Sequence, residues 1–147
     1  MNFQPDPAII RWRIHLASPP AQIYQLLATD AGCRRFWAES AIERDGAIDF
    51  MFPDGQTWRG KILDRSSPSR FAVEYYVGSI TSLDLSDDDA GGAHLTLTEV
   101  GVPLEYRAEV IAGWVSVLLA LKAAADFGVD LRNHDASRTW DQGFADN

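Results

Sequence analysis

The sequence contains a single cysteine, Cys33, among its 147 residues. One cysteine excludes an internal disulfide and a metal site built from cysteines alone. Basic residues are also scarce: 13 Lys and Arg face 21 Asp and Glu, and the formal net charge is −8. This balance argues against a nucleic-acid partner and against an anionic membrane surface. The sequence also lacks a phosphate-cradling glycine loop, a dinucleotide fingerprint and a Gly-x-Ser-x-Gly elbow.

Long apolar runs and a secretory leader are missing as well. No run approaches the roughly 20 apolar residues that span a bilayer, and the first residues, MNFQPDP, lack a signal-peptide pattern. We therefore expect no membrane insertion and a cytoplasmic location, and no cofactor is implied. Hydrophobic residues make up 46% of the chain and charged residues 23%, which is typical of a soluble globular domain.

One long amphipathic helix is predicted over residues 103–127. Its apolar residues recur at three- and four-residue steps: Val110, Trp114, Val117, Leu118 and Leu121. Pro103 suits the first turn of a helix, and Gly128 can close the last turn in the left-handed conformation. Gly113 leaves a gap on the inner face, so we expect the helix not to fill the space in front of it.

Alternation of apolar and polar residues predicts seven strands before that helix. The first strand is predicted over residues 10–16, and two short helices follow it. Asp45-Gly46 and Asp54-Gly55 are pairs that favour tight hairpin turns. The other strands are predicted over residues 41–44, 47–52, 57–64, 71–77, 80–85 and 94–100. An antiparallel sheet of this kind needs one face covered, and only the long helix is large enough to cover it.

The last residues, 129–147, are predicted to form an extended tail that packs on a single domain of residues 1–128. The tail is polar apart from four expected anchors: Val129, Leu131, Trp140 and Phe144. Two large aromatic side chains in so short a stretch favour docking over disorder.

Three segments carry a resemblance to a known family: Trp58-Arg59-Gly60-Lys61-Ile62, Leu95-Thr96-Leu97-Thr98-Glu99, and Gly113-Trp114 with Leu118, Leu121 and Lys122. With residues 14–37 as the opening, their order and spacing resemble the START-like (SRPBCC) helix-grip superfamily, in its branch of homologues of the activator of the Hsp-90 ATPase. The resemblance covers residues 9–128. It implies an α+β fold in which a seven-stranded curved antiparallel sheet wraps around the long C-terminal helix.

The same resemblance implies an apolar cavity between sheet and helix, which binds lipids, polyketide-like or other small hydrophobic molecules. Some relatives in the superfamily are aromatases, cyclases or hydrolases. The eukaryotic activators stimulate the chaperone ATPase with an additional N-terminal domain, for which this chain has no room. Among the expected partners, a chaperone is therefore ranked last.

Large side chains on converging faces define the predicted ligand site. Taken singly, each of these residues is equally well explained as ordinary core. As a set, they favour an enclosed space for a ligand, with Trp37 at the position that the resemblance gives to the cavity mouth. The predicted ligand-binding residues are Trp37, Phe50, Phe52, Trp58, Tyr75, Leu83, Leu97, Glu99, Trp114, Leu118 and Leu121.

Glu99 and Tyr75 are the two candidates for chemistry at that site. Alternation from Leu95 and Leu97 points Glu99 toward the helix, where apolar surroundings would raise the pKa of its carboxyl. There the acid would anchor a polar ligand group or carry a proton, and Tyr75 would supply a hydroxyl. The competing interpretation leaves Glu99 exposed at the strand end, which is the commoner outcome for such a carboxylate.

The remaining histidines and the cysteine match no catalytic or metal motif. His15 and His94 alternate onto the outer faces of their strands. His134 lies in the tail among acidic residues whose spacing fits no defined metal site, so no metal is predicted. Cys33 lies beside two arginines, which would lower the pKa of its thiol, although a structural role is favoured.

Three hypotheses follow for function. The first is a protein that binds a small hydrophobic molecule, and the second is an enzyme of the aromatase, cyclase or hydrolase kind that uses Glu99 or Tyr75. The third is a regulator of a chaperone ATPase. We rank binding first because no set of catalytic residue types converges, and we leave a homodimer open.

Overall fold

The computed structural model describes residues 3–147. Seven strands, β1 to β7, form one antiparallel sheet: Ile9–Leu16, Ser40–Arg44, Ala47–Met51, Thr57–Ser66, Arg70–Glu74, Ile80–Asp87 and Ala93–Val100. Three α-helices, α1 to α3, accompany the sheet: Pro20–Ala28, Asp30–Cys33 and Arg107–Phe127. The predicted α+β arrangement of a seven-stranded sheet and a long C-terminal helix is confirmed.

The strands from β2 to β7 follow one another as a meander. The last strand, β7, also pairs with β1, which lies at one edge of the sheet. In the turn between β2 and β3, Asp45 and Gly46 have φ angles of 52° and 76°. These are the left-handed conformations that a two-residue hairpin turn requires, and they explain why the Asp-Gly pair marked the turn. Gly60 in β4 approaches β5 closely, because a Cβ atom there would lie 1.8 Å from the carbonyl oxygen of Glu74.

Helix α3 begins four residues later than predicted. Pro103 is extended, Leu104–Tyr106 forms a 3-10 turn, and the α-helix begins at Arg107. The end is as predicted: Gly128 has a φ angle of 68°, and its N–H donates to carbonyl groups of the last turn.

The carboxylate of Asp126 attaches the end of α3 to the chain between β1 and α1. It accepts hydrogen bonds from the backbone N–H groups of Ala17 at 2.9 Å and Ser18 at 3.1 Å, and from the Ser18 hydroxyl at 2.9 Å. Burial opposes the charged form of Asp126, yet these bonds hold the pKa of its carboxyl below the ordinary value. These bonds tie the C-terminal end of α3 to the chain at the end of β1.

Helix α3 was predicted to have an apolar inner face and a polar outer face, and the outer face differs from this prediction. The inner face buries Trp114, Leu118 and Leu121, but the outer face also carries apolar residues, Val115 and Leu119, which are exposed. By length and composition the segment Leu104–Phe127 could cross a membrane, which corrects the sequence-based statement that no run comes close. The same composition occurs in the core helix of a soluble protein, and α3 packs against β1 and α1.

The tail is attached mainly by polar contacts, and of the four predicted anchors only Trp140 is half-buried. Val129, Leu131 and Phe144 are exposed. The side chain of Arg132 is only 6% exposed, and its guanidinium donates to the carbonyl oxygens of Ala38, at 3.1 Å, and Arg34. The predicted extended course is interrupted by a 3-10 turn at Trp140–Gln142. The tail therefore docks through hydrogen bonds to the segment that joins α2 to β2.

Candidate functional site

A cavity of about 270 Å³ lies between the middle of α3, the turn between β3 and β4, and the tail. Its volume is just below the range of sites that hold drug-sized molecules, so it suits a small ligand. The sheet side contributes Trp37, Phe52, Pro53, Asp54, Gln56, Trp58, Tyr75 and Tyr76, the helix contributes Glu109, Val110, Gly113, Trp114, Ser116 and Val117, and the tail contributes Trp140, Asp141 and Asn147.

Aromatic rings in mutual contact form the wall on the sheet side. Phe52 and Trp58 stack with ring centroids 4.2 Å apart, and Trp58 meets Tyr75 edge to face at 5.1 Å. Tyr75 also contacts Trp37 at 5.5 Å and Trp114 at 5.4 Å. Such contacts fix ring orientations, because aromatic pairs prefer stacked or edge-to-face geometries. The wall is therefore rigid compared with one made of aliphatic side chains.

Gly113 opens the helix side of the cavity. A Cβ atom at this position would meet no other atom within 4 Å. The neighbouring Trp114 is buried, so one turn of α3 presents a large ring beside an empty position. The gap that the sequence predicted beside Trp114 is present.

On the sheet side of the wall, one hydrogen bond joins two rings, and a third ring has no partner. The indole N–H of Trp37 donates to the Tyr75 hydroxyl at 2.9 Å. Burial raises the pKa of Tyr75 well above its ordinary value, so this hydroxyl stays protonated. The indole N–H of Trp58 is buried and has no acceptor among the described residues.

Glu99 lies behind the wall rather than in it. Its carboxylate is fully buried, accepts a hydrogen bond from the Ser79 hydroxyl at 2.5 Å, and accepts another from the indole N–H of Trp114. Burial raises the pKa of the carboxyl, although the hydrogen bonds from these two donors oppose the shift. The inward orientation predicted by alternation is correct, and the alternative of a solvent-exposed strand end is wrong.

The structure divides the predicted ligand-binding residues into two groups. Five line the cavity: Trp37, Phe52, Trp58, Tyr75 and Trp114. The other six are buried in the core outside the cavity lining: Phe50, Leu83, Leu97, Glu99, Leu118 and Leu121. Of the two candidates for chemistry, only Tyr75 faces the cavity.

Several lining residues were not predicted. Three of them are carboxylates at the rim: Asp54 in the turn between β3 and β4, Glu109 on α3 and Asp141 in the tail. Trp140 joins them, and its indole N–H donates to the Glu109 carboxylate at 3.0 Å. These residues come from three separate segments, so no local pattern relates them. The signal for Trp140 was present, since a large aromatic side chain in a polar tail indicates a docking contact.

The rim carries negative charge that no cation balances. None of the lining residues is Lys or Arg, and within residues 3–147 none of the three rim carboxylates forms an ion pair. Burial raises the pKa of the neighbouring Tyr76, and Tyr106, Glu109 and Asp141 raise it further.

Other candidate residues lie away from the cavity. His134 contacts Glu39 at 2.5 Å and Asp130 at 2.7 Å, and the described part of the chain contains no cluster of three or more His, Cys, Asp or Glu that could hold a metal. His15 is exposed and contacts Asp88. Burial raises the pKa of the Cys33 thiol to about 12, so the expected lowering by the adjacent arginines is wrong.

No family model matches the chain, and none of the curated proteins matches its sequence. Solved structures do resemble it. The solution structure of the Aha1 dimer from Colwellia psychrerythraea has a TM-score of 0.73 and 22% identity, covering 82% of this chain and 97% of that one.

Two further proteins of similar fold are DynU16 and CalU16. DynU16, a protein in the dynemicin biosynthetic locus, has a TM-score of 0.73 and 16% identity over 86% of this chain and 49% of its own. CalU16 from Micromonospora echinospora has a TM-score of 0.64 and 23% identity over 78% and 72%. At these identities the likeness shows the fold alone, which is the helix-grip fold.

Proposed function

We propose that the protein binds a small, largely apolar molecule in the cavity between α3 and the sheet. The observation that carries the proposal is the space at Gly113 facing a wall of aromatic rings. Apolar pockets with a few polar groups are the usual form of small-molecule sites. A lipid, a polyketide-like compound or another aromatic molecule fits this description, and the proposal keeps the cytoplasmic location expected from the sequence.

The positions of the polar groups favour binding over catalysis. Glu99 does not line the cavity, so a ligand there would meet Trp114 before the carboxylate. The Tyr75 hydroxyl accepts a hydrogen bond from Trp37, and its raised pKa makes it a poor base at neutral pH. Of the two residues predicted to act in an aromatase, cyclase or hydrolase, only Tyr75 therefore lies at the cavity.

A Leu side chain at Gly113 tests the proposal. We expect 2-naphthol, a neutral aromatic probe, to shift the indole N–H signals of Trp37, Trp58 and Trp114 in NMR spectra of the wild-type protein. In Gly113→Leu the new side chain enters the open space, and the shifts should disappear. Ala112→Leu places the same side chain on an exposed position of α3 and should leave binding intact. An absence of shifts in the wild-type protein, or equal shifts in Gly113→Leu, would reject the proposal.

Two proposals about partners rest on the fold and on the surface of α3. Leu104, Val115 and Leu119 are exposed apolar residues that a second copy of the chain could cover, and one protein of similar fold is a dimer in solution. Light scattering after gel filtration measures this directly, and a monomer at all concentrations would reject it. Regulation of a chaperone ATPase rests on the fold likeness alone, and an ATPase assay that shows no stimulation would reject it.

A further inference from the structure

The chemistry of the cavity is uneven, with rings inside and carboxylates outside. Trp37 and Trp114 are buried at the inner end, whereas Glu109 and Asp141 are exposed and Asp54 is half-buried. Negative charge therefore lies on the solvent side of the cavity, and the buried rings lie on its inner side. The chain as a whole has a formal charge of −8, which adds to the same field.

Both layers attract the same kind of group. Carboxylates that lack a basic partner attract a cation by direct Coulomb interaction. The faces of Trp, Tyr and Phe rings also attract cations, through the negative charge above the ring plane, and Trp does so best. An anionic ligand would be repelled at the rim and would find no Lys or Arg to pair with among the lining residues.

We infer that the ligand of this cavity is a small organic cation, in which an ammonium group is carried by an apolar or aromatic body. The inference rests on the proposed function and narrows its ligand class. The apolar body occupies the space at Gly113, and the ammonium group lies between the ring faces and the rim carboxylates. A neutral molecule of the same shape would make the apolar contacts but would gain nothing from the rim.

Three compounds with one phenylethyl body separate charge from shape. They are trimethyl(2-phenylethyl)ammonium, its neutral analogue 2-methyl-4-phenyl-2-butanol, and the anion 3-phenylpropanoate. Dissociation constants come from titrations that follow the Trp indole N–H signals by NMR. We expect the cation to bind roughly tenfold more tightly than the alcohol, and the anion to bind more weakly than the alcohol. Added salt should weaken binding of the cation and leave the alcohol unchanged.

Charge-removing variants locate the effect at the rim. Glu109→Gln keeps an acceptor for Trp140. We expect this variant to weaken binding of the cation by about two- to fivefold and to leave the affinity for the alcohol unchanged. Asp141→Asn should behave alike. The control is Asp89→Asn, in the exposed loop between β6 and β7, where Asn tolerates the φ angle of 64°. That variant has the same change of charge at the far end of these strands, and its affinities should equal those of the wild type.

The outcomes distinguish the inference from the proposal beneath it. If the alcohol or the anion binds as tightly as the cation, the cavity is a ligand site and the inference is wrong. If Asp89→Asn weakens binding of the cation as much as Glu109→Gln does, the effect comes from the net charge of the protein, and the rim has no special role. If none of the three compounds shifts any indole signal, both the proposed function and the inference fail.

Discussion

Replacement of Glu99 by leucine or by glutamine tests how the cavity wall is built. Glu99 is the acceptor for two buried donors, the Ser79 hydroxyl and the Trp114 indole N–H. Leucine has a similar size but accepts no hydrogen bond, so both donors lose their partner. Glutamine keeps an oxygen for Trp114, and its amide can donate to the Ser79 hydroxyl, which accepts as well as donates.

The expected magnitudes follow from these contacts. A buried donor without a partner costs roughly 1–3 kcal/mol, and two such donors cost about 2–6 kcal/mol. Removal of a buried carboxylate offsets part of this loss, so we expect Glu99→Leu to lower the free energy of unfolding by about 2–4 kcal/mol. For a domain of this size the melting temperature should fall by roughly 5–15 °C. Glu99→Gln should stay within about 1 kcal/mol of the wild type at neutral pH.

The two variants also differ from the wild type in how stability depends on pH. Burial raises the pKa of Glu99 from its ordinary value of 4.5 in the folded protein. Between 4.5 and that raised pKa, the folded state keeps a proton that the unfolded state releases. The free energy of unfolding of the wild type therefore falls as pH rises through this interval, and this contribution is absent from both variants.

Urea unfolding followed by tryptophan fluorescence measures these differences at a series of pH values from 4 to 8. Other carboxyl groups titrate in the same range, but they are common to all three proteins and cancel in the differences. Equal stability of the Leu and Gln variants at neutral pH would refute the role of the two hydrogen bonds. Parallel pH profiles of the Gln variant and the wild type would refute the raised pKa.

Three further predictions concern single positions. Gly113→Ala should raise the free energy of unfolding by about 0.5–1 kcal/mol, because glycine disfavours a helix interior and the methyl group meets open space; no gain in urea unfolding would contradict this. Gly60→Ala should lower it by more than about 2 kcal/mol, because its Cβ would collide with the Glu74 carbonyl oxygen. NMR titration of His134 should give a pKa above the ordinary value of 6.5, owing first to its hydrogen bond with Asp130. The stability that the charged imidazole contributes is present below pH 6.5 and should be lost as pH rises through the raised pKa.

The order of strands and helices could be predicted because each signal is local. Asp45-Gly46 marked a hairpin turn by its backbone requirements, and the three- and four-residue steps of α3 marked its inner face. The attachment of the tail could not be predicted in this way. Arg132 binds carbonyl oxygens about 100 residues earlier in the chain, and a hydrogen bond between distant segments leaves no periodic pattern in either.

The aromatic wall was predictable in part, and the boundary between wall and core was not. Alternation assigns Phe50 and Phe52 to the same face of β3 and its continuation, yet only Phe52 lines the cavity. Which ring meets empty space depends on where α3 crosses the sheet, and that position depends on bonds between distant segments, such as those of Asp126 to Ala17 and Ser18. The rim carboxylates were missed because a turn, a helix and the tail each supply one.

The hydrogen bonds behind the wall explain why the space at Gly113 stays open. To fill it, Trp114 would have to leave the buried carboxylate of Glu99, or Trp37 would have to leave the Tyr75 hydroxyl. Loss of the Trp114 bond to a buried charged group costs roughly 1.5–3 kcal/mol, and leaving the buried Trp37 donor without its neutral acceptor costs roughly 1–3 kcal/mol. Each additional buried methylene gains about 0.8 kcal/mol. Collapse of either ring into the gap is therefore unfavourable unless several carbon atoms become buried at once. A ligand that fills the gap gains those contacts without breaking either bond, and the cavity is preorganised to receive it.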